Sequence, residues 1–288
     1  MVLNLPDPAA MPELPEVERG RRIAEQAAHG RVISRIRLAR DPIVFDGVGA
    51  ARFRKALLGR TVLEVGRRGK QIWFELDRTP WPLFHFGMTG AFRLPGDHPL
   101  ELASSPKHVD ASWPPRFTKI HLHFDDGGEL VMTNARRLGR ILLREDPMRE
   151  APIADLGFDP LLDLPASGKI AQLLVRRKGR IKAVLLDQSF AAGVGNWIAD
   201  EVLYQAGIDP RRRAHTLSAE EVQRMRRKLK QVIDTAVRVN ADKKKFPAGW
   251  LFHRRWGKEK GAATASGEKI RHITVGGRTT AWVPARQS

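Results

Sequence analysis

The sequence predicts an α+β fold: an antiparallel β domain behind a leading helix, then a helical domain, then a terminal β-hairpin. Three observations carry this. A helix-period pattern opens at residue 15, short β-rich runs with glycine turns fill residues 31 to 145, and a long amphipathic stripe begins at Ser218.

Residues 15 to 29 read as the leading helix. Pro15 suits a first turn, where its missing N–H is not needed. Glu16 and Glu18 favour the positive end of the macrodipole. Val17, Gly20, Ala24 and Ala27 share one face, and Gly30 follows as a stop. "TVLEVGRRGKQIWFEL" (61–76) is two β-rich runs around a basic glycine turn. "TKIHLHFDDGGELVMT" (118–133) is a hairpin with Asp-Asp-Gly-Gly between its strands, and "SWPPRF" (112–117) is a loop. Pro147, Pro152, Pro160 and Pro165 mark the boundary between halves. Beyond it, Ser218 and Glu221 form a capping box. Val222, Met225, Leu229, Val232, Ile233, Ala236 and Val237 form the buried stripe of that helix. A Thr/Val/Trp hairpin follows from about residue 262.

Lys and Arg number 50 against 32 Asp and Glu, a formal net charge of +18 and a pI near 10.9. Such an excess repels itself in a compact state, so a polyanion is the natural partner, and nucleic acid leads because neutralised phosphates release counterions. An acidic membrane surface is the competing reading. The chain has no Cys. That excludes disulfides, thiolate zinc sites, iron–sulfur clusters and cysteine nucleophiles. No apolar run reaches membrane-spanning length, and "MVLNLPDPAA" lacks the basic start of a signal peptide. The expectation is an intracellular protein, in bacterial cytoplasm with the nucleoid or in a eukaryotic nucleus.

Several stretches carry candidate chemistry. "AAGVGNWIADEVLYQAGIDP" (191–210) is a glycine-rich loop opening a helix, where free N–H groups and the Asn196 amide offer a phosphate site. A tight interhelical turn is the alternative. "RRGK" (67–70) is a basic strand turn, for which a solvated turn is the more ordinary reading. "FGMTG" (86–90) sets Met88 between glycines, and "ARRLGR" (135–140) combines guanidiniums with Leu138. Each could be core filler and surface charge, or a wedge between bases. His121 and His123 point to one face of a strand, but no third ligand is evident, so no metal is expected.

Taken together, "MPELPEVE" (11–18), "RRGK" (67–70), "HFGM" (85–88), "RRLG" (136–139), "GVGN" (193–196) and "GGRTTAW" (276–282) resemble the formamidopyrimidine-DNA glycosylase/endonuclease VIII family in order and spacing. The resemblance covers nearly all of the chain after residue 10, and "GNWIADEVLYQAGI" and "VGGRTTAWVP" look most like its zinc-independent plant and fungal branch. It implies an N-terminal β-sandwich with a leading helix (11–145), a linker (146–160), a helix–two-turn–helix domain (161–245) and a zincless β-hairpin finger (246–288). Residues 1–10 would be an extension outside the mature protein.

The same resemblance assigns roles. Pro12, exposed once Met11 is removed, is the nucleophile, and Glu13 moves protons. Lys70, catalytic as well, joins Asn196 and Arg278 in gripping phosphates. Met88, Arg136 and Leu138 fill the gap left by a flipped nucleotide. Leu138 and Ala135 depart from the Phe and Pro of bacterial members, which bears on the opposite base. Ala263, Ser266, Val283 and Arg286 stand where zinc-bearing relatives have cysteines, so strand pairing and the packing of Trp282 and Val283 must hold the hairpin.

Amine chemistry supports Pro12. An α-amine titrates near ~8, against ~10.4 for lysine, so far more of it is free base at neutrality. A secondary amine attacking C1′ gives an iminium, the electron sink for strand cleavage. With Pro12 inside a peptide bond, that nitrogen is an amide and cannot attack. The expectation is therefore a monomeric, cofactor-free DNA glycosylase and AP lyase acting on damaged double-stranded DNA. The alternative is a noncatalytic damaged-DNA binder blocked by its own extension. The segment "NADKKKFPAGWLFHRRWGK" (240–258) lacks a recognisable lesion-covering loop, which favours ring-opened purines and hydantoins over 8-oxoguanine.

Overall fold

The structure, a computed structural model, describes residues 11–97, 112–256 and 261–288. The expected extension, residues 1–10, lies outside the described residues. The chain divides into two compact units. One comprises Met11, Pro12 and Glu16–Asp155, the other Glu13–Pro15 and Leu156–Ser288.

In the first unit, helix α1 (Leu14–Ala28) precedes strand β1 (Ile33–Leu38), helix α2 (Ala50–Leu57) and strands β2 (Val62–Arg68), β3 (Gln71–Leu76), β4 (Trp81–His85), β5 (Ala91–Arg93), β6 (Thr118–Phe124), β7 (Glu129–Thr133) and β8 (Arg140–Arg144). They form two four-stranded antiparallel sheets, ordered β2-β3-β4-β8 and β1-β6-β7-β5. Alternation decides which face is inward. Ile120, Leu122 and Phe124 of β6 enter the core, while Lys119, His121 and His123 take the other face. Phe92 of one sheet meets Phe84 of the other at 5.1 Å and Phe86 at 5.2 Å between ring centroids, so the sheets form a sandwich. Val17, Ala24, Ala27 and Ala28 of α1 join this core. A Cβ on Gly20 would overlap the Phe86 ring, so its small size is required there.

One helix-end reading needs correcting. Glu18 is not simply a dipole partner; it is buried and accepts from Arg67 Nε at 2.9 Å. Arg67 is itself buried, so half of the "RRGK" arginine pair is structural rather than solvated.

The second unit holds α3 (Ser167–Val175), α4 (Ile181–Leu186), α5 (Asn196–Ala206), α6 (Ala219–Arg238) and the hairpin β9 (Arg271–Val275) and β10 (Arg278–Trp282). Ser218 caps α6 with the reciprocal bonds of a capping box, and its buried residues are the seven of the expected stripe. Gly207, left-handed at φ 68°, ends α5. The expected linker 146–160 is structured: Ile153 and Phe158 are buried, and the units part between Asp155 and Leu156. Residues 240–256 pack against α5 as an aromatic cluster in which Trp197, Phe246, Trp250, Phe252 and Trp256 meet at centroid distances of 4.9 to 6.4 Å. No helix among the described residues is long and apolar enough to cross a membrane.

Candidate active site and nucleic-acid interface

Pro12 is buried at the head of α1. The next residue, Glu13, is 3% exposed and belongs to the second unit. Its Oε1 accepts from Trp197 N at 2.8 Å and its Oε2 from Ile198 N at 3.1 Å. Leu14 N donates to Gly193 O at 3.0 Å, fixing the stretch of chain that carries them. The start of α5 thus already holds one anion of the protein's own: the N–H groups of Trp197 and Ile198 are taken by the Glu13 carboxylate. The glycines are needed for this approach: a Cβ on Gly195 would stand 2.5 Å from Glu13 Oε1. A carboxylate whose two oxygens both take main-chain N–H groups is held as a fixed acceptor.

In the sandwich unit, Lys70 closes the two-residue turn between β2 and β3, after left-handed Gly69 (φ 56°). Arg67 donates to Gly69 O at 3.0 Å and so stiffens that turn. His85 ends β4, opposite Gln71 of β3 and Arg140 of β8. Burial, then the charges of Lys70 and Arg140, push its imidazole down to about 4. His85 is thus neutral at physiological pH. It lies within the "HFGM" motif, yet nothing in the sequence gives it a role of its own.

The three expected void-filling residues sit on two loops joined by Asn134, which is fully buried. Asn134 Nδ2 donates to Phe86 O at 2.8 Å, its Oδ1 accepts from Gly139 N at 3.2 Å, and its N donates to Phe117 O at 3.0 Å. Gly87 (φ 61°) lets the Met88 loop lie against Leu138, whose carbonyl oxygen a Cβ there would meet at 2.5 Å. Met88 is half-buried, Arg136 is exposed, and Leu138 keeps 47% of its surface open. Between them Arg137, left-handed at φ 56°, turns back to Asp41 with Nε and Nη2 at 3.0 to 3.1 Å. Lys119 adds a bond to Asp41 of 2.8 Å. Burial alone would push the Asp41 carboxyl up, but bonds from Arg137 and Lys119 hold it well below the carboxylate range. This tether leaves Arg136 and Leu138 projecting. Neither Asn134 nor Asp41 was visible as functional in the sequence, because both act on backbone or on a residue far along the chain.

In the second unit, Arg278 begins β10 after left-handed Gly276 and Gly277, a turn that matches hairpin twist. It is exposed and makes no hydrogen bond or ion pair through its guanidinium with a described residue. Asn196 Nδ2 donates to Thr279 O at 3.0 Å, tying the start of α5 to the hairpin tip. Lys182 of α4, fully buried, ion-pairs with Asp200 of α5 at 2.6 Å and bonds Thr280 Oγ1 at 2.7 Å and Thr279 O at 3.2 Å. Asp200 also accepts from Arg255 at 2.7 Å and from Ala281 N at 3.1 Å. Burial pushes the Lys182 ammonium down while the Asp200 charge opposes it. Of the positions where the sequence resemblance implies zinc cysteines in other members, Val283 is fully buried, and Arg286 and Ser266 both bind Glu268, at 3.0 and 2.7 Å. The packing of Trp282 and Val283 is as the sequence implies; the Lys182–Asp200–Arg255 network has no signal in it.

Comparison with known proteins places this geometry. Residues 11–141 match the formamidopyrimidine-DNA glycosylase N-terminal domain, 156–247 its H2TH domain, and 250–284 the formamidopyrimidine-DNA glycosylase-like C-terminal domain. The chain is 43% identical over 277 residues to a formamidopyrimidine-DNA glycosylase of Arabidopsis thaliana, covering 96% of this chain and 71% of that one. It is 34% identical over 291 residues to that of Thermus thermophilus, covering 96% and 98%. Among solved structures, the Thermus thermophilus protein superposes with a TM-score of 0.75 at 32% identity, covering 96% and 98%. A Lactococcus lactis formamidopyrimidine-DNA glycosylase, non-covalently bound to DNA containing an AP site, gives 0.77 at 25% identity, covering 96% and 99%. The α+β architecture, the three matched domains and the level of identity agree: this chain belongs to the formamidopyrimidine-DNA glycosylase family.

Proposed function

We propose that this base-excision DNA glycosylase and AP lyase works through the amine of Pro12 and belongs to the zinc-independent branch of its family. The observation that carries the reading is the seat of Glu13, one residue after Pro12, with both carboxylate oxygens fixed on the start of α5. The N-terminal family domain also begins at residue 11, so removal of Met11 frees the Pro12 nitrogen as a secondary amine.

The amine attacks C1′ of the damaged nucleotide, the C1′–base bond breaks, and the base leaves with a proton. The nitrogen gives up its own proton, and its lone pair expels O4′, which is protonated as the sugar opens. An iminium between Pro12 and C1′ results. A base then takes a proton from C2′, the electron pair flows toward the iminium, and the 3′ phosphate leaves. Glu13, held as an acceptor, suits proton removal. Lys70, Asn196 and Arg278 grip the backbone phosphates, and Met88, Arg136 and Leu138 fill the space of the flipped nucleotide, offsetting lost stacking of about a few kcal/mol. The partner is damaged double-stranded DNA, bound by a monomer wherever the cell keeps its genome.

Ring-opened purines and hydantoins are the favoured substrates over 8-oxoguanine. Residues 240–256 support this, since they fold onto α5 as an aromatic core and Phe252 N is fixed to Glu201 at 2.8 Å. Single-turnover excision from matched duplexes should be faster for hydantoins; faster 8-oxoguanine release would reverse the assignment.

Borohydride trapping tests the nucleophile. A chain starting at Met11 should be captured covalently on abasic DNA, and one retaining Met1 should bind that DNA without capture. Equal capture of both, with residues 1–10 verified intact by mass, would mean that a lysine attacks and Pro12 does not.

A further inference from the structure

On the outer face of the sandwich, β6 and β7 bring His121, His123 and Glu129 together. The two histidines alone, two residues apart in the sequence, name no third donor. The hairpin supplies it: Glu129 stands directly opposite His123 across the Asp-Asp-Gly-Gly turn. Period-2 alternation puts both imidazoles on one side of β6, and strand pairing puts the carboxylate beside them.

One donor atom from each residue lies within 4.8 Å of the other two, and no other such trio of His, Asp or Glu occurs among the described residues. Glu129 Oε2 is 2.6 Å from His121 Nε2, and Oε1 is 3.9 Å from His123 Nδ1. The rings stack with centroids 4.1 Å apart. Trp113 donates its indole N–H to the same carboxylate, so an orienting outer partner is already in place. The His121 side chain is 3% exposed, and its Nδ1 and His123 Nε2 have no hydrogen-bond partner among the described residues. Neither ring is pinned from behind.

We propose that His121, His123 and Glu129 bind a divalent transition-metal ion, with zinc and cobalt as the fitting cations. Zinc bonds of about 2.0–2.2 Å require donors about 3.3 Å apart, a movement of about an ångström from the present separations. Two imidazoles and one carboxylate leave a fourth position for water. The surrounding charge selects the ion. β1 sets Arg35 opposite His123 and Arg37 opposite His121, so a hard cation held by charge alone is disfavoured. Imidazole donors favour zinc, cobalt, nickel or copper over calcium or magnesium. The site is remote in sequence from the finger and uses none of the DNA-binding residues above.

The test is calorimetric titration of tag-free, chelator-stripped protein with zinc chloride, repeated with cobalt chloride while reading ligand-field absorption. One ion per chain is expected, with a visible cobalt band and a higher melting temperature. Glu129→Gln and His123→Gln should each weaken binding at least tenfold and abolish the band, while both still cleave abasic DNA at the wild-type rate. That cleavage shows the variants are folded. Absence of saturable one-to-one binding to the wild-type chain would overturn the proposal. So would undiminished binding to Glu129→Gln, which alters the ligand while keeping its shape.

Discussion

Glu13 occupies the space that any side chain on Gly195 would need: a Cβ there would lie 2.5 Å from its Oε1. The pair is 182 residues apart in the chain, as 195 less 13, yet the contact seats the candidate proton acceptor on two N–H groups of α5. Glycine at this place serves close approach, since its backbone is extended at φ −129°.

Gly195→Ala should therefore displace the Glu13 carboxylate without unfolding the chain. Two charge-assisted bonds are lost or lengthened, each worth about 1.5–3 kcal/mol, part of which water recovers. The expected result is a fall in lesion excision of at least tenfold with damaged-DNA affinity within about twofold of wild type. Single-turnover kinetics beside equilibrium binding would separate these. Unchanged excision would show that the position of Glu13 does not matter to the chemistry.

A second prediction concerns the hairpin. Asp200 neutralises Lys182 and Arg255 and also receives Ala281 N of β10. Truncating one member of a buried charge network leaves the others uncompensated, at a cost of about 3–5 kcal/mol. Asp200→Ala should lower stability by about that amount and weaken binding of abasic DNA, whereas chelator should leave that binding unchanged. Denaturant unfolding and fluorescence anisotropy would check both halves. Chelator-sensitive DNA affinity that persists in Glu129→Gln would show that a metal, not this network, holds the finger.

What could be read from the sequence was local. Ser218 and Glu221 are three residues apart, and the stripe from Val222 to Val237 repeats at helical period, so the capping box and buried face of α6 were legible. The hairpins at 118–133 and after 262 announced themselves through glycines between β-rich runs. The positions of Arg278 and Leu138, exposed on turn and loop, agree with what short motifs implied. The missing part was long-range pairing. Arg67 finds Glu18, Arg137 finds Asp41 and Lys182 finds Asp200 and the finger backbone, and such pairs leave no periodic trace. The start of α5 belongs here too: a helix end announces an anion, and nothing local says that Glu13 supplies one.

Arg278 offers a third test. Its guanidinium projects beside Gly277 with no partner among the described residues, while Thr279 is held by Asn196 and Lys182. A rigid hairpin thus presents a cation suited to paired phosphate contact. Arg278→Ala should weaken damaged-DNA binding and reduce the slope of log K against log salt by about one unit. Stability should change little, since an exposed side chain is removed. An unchanged slope in a salt titration would take Arg278 out of the phosphate grip.

The last prediction concerns pH. Glu201 on α5 is fully buried, and burial pushes its carboxyl from 4.5 up to about 7 despite bonds from Gln205 and the Phe252 and Leu251 amides. In the unfolded chain the group returns to its ordinary value. Between these two values the folded protein holds a proton that the unfolded chain has released. The contribution to stability is therefore fully present below about 4.5 and is lost as pH rises through about 7. Its size is on the order of a few kcal/mol. Glu201→Gln keeps the shape of the protonated acid and removes the titration. The variant should match wild type in melting temperature near about pH 4 and exceed it increasingly toward about pH 7. Thermal unfolding across that range, both proteins in the same buffers, isolates this group because every other titration is shared. Parallel profiles would mean that Glu201 keeps an ordinary carboxylate pKa in the fold, and the Glu201–Phe252 contact would then be that of an ionised acceptor.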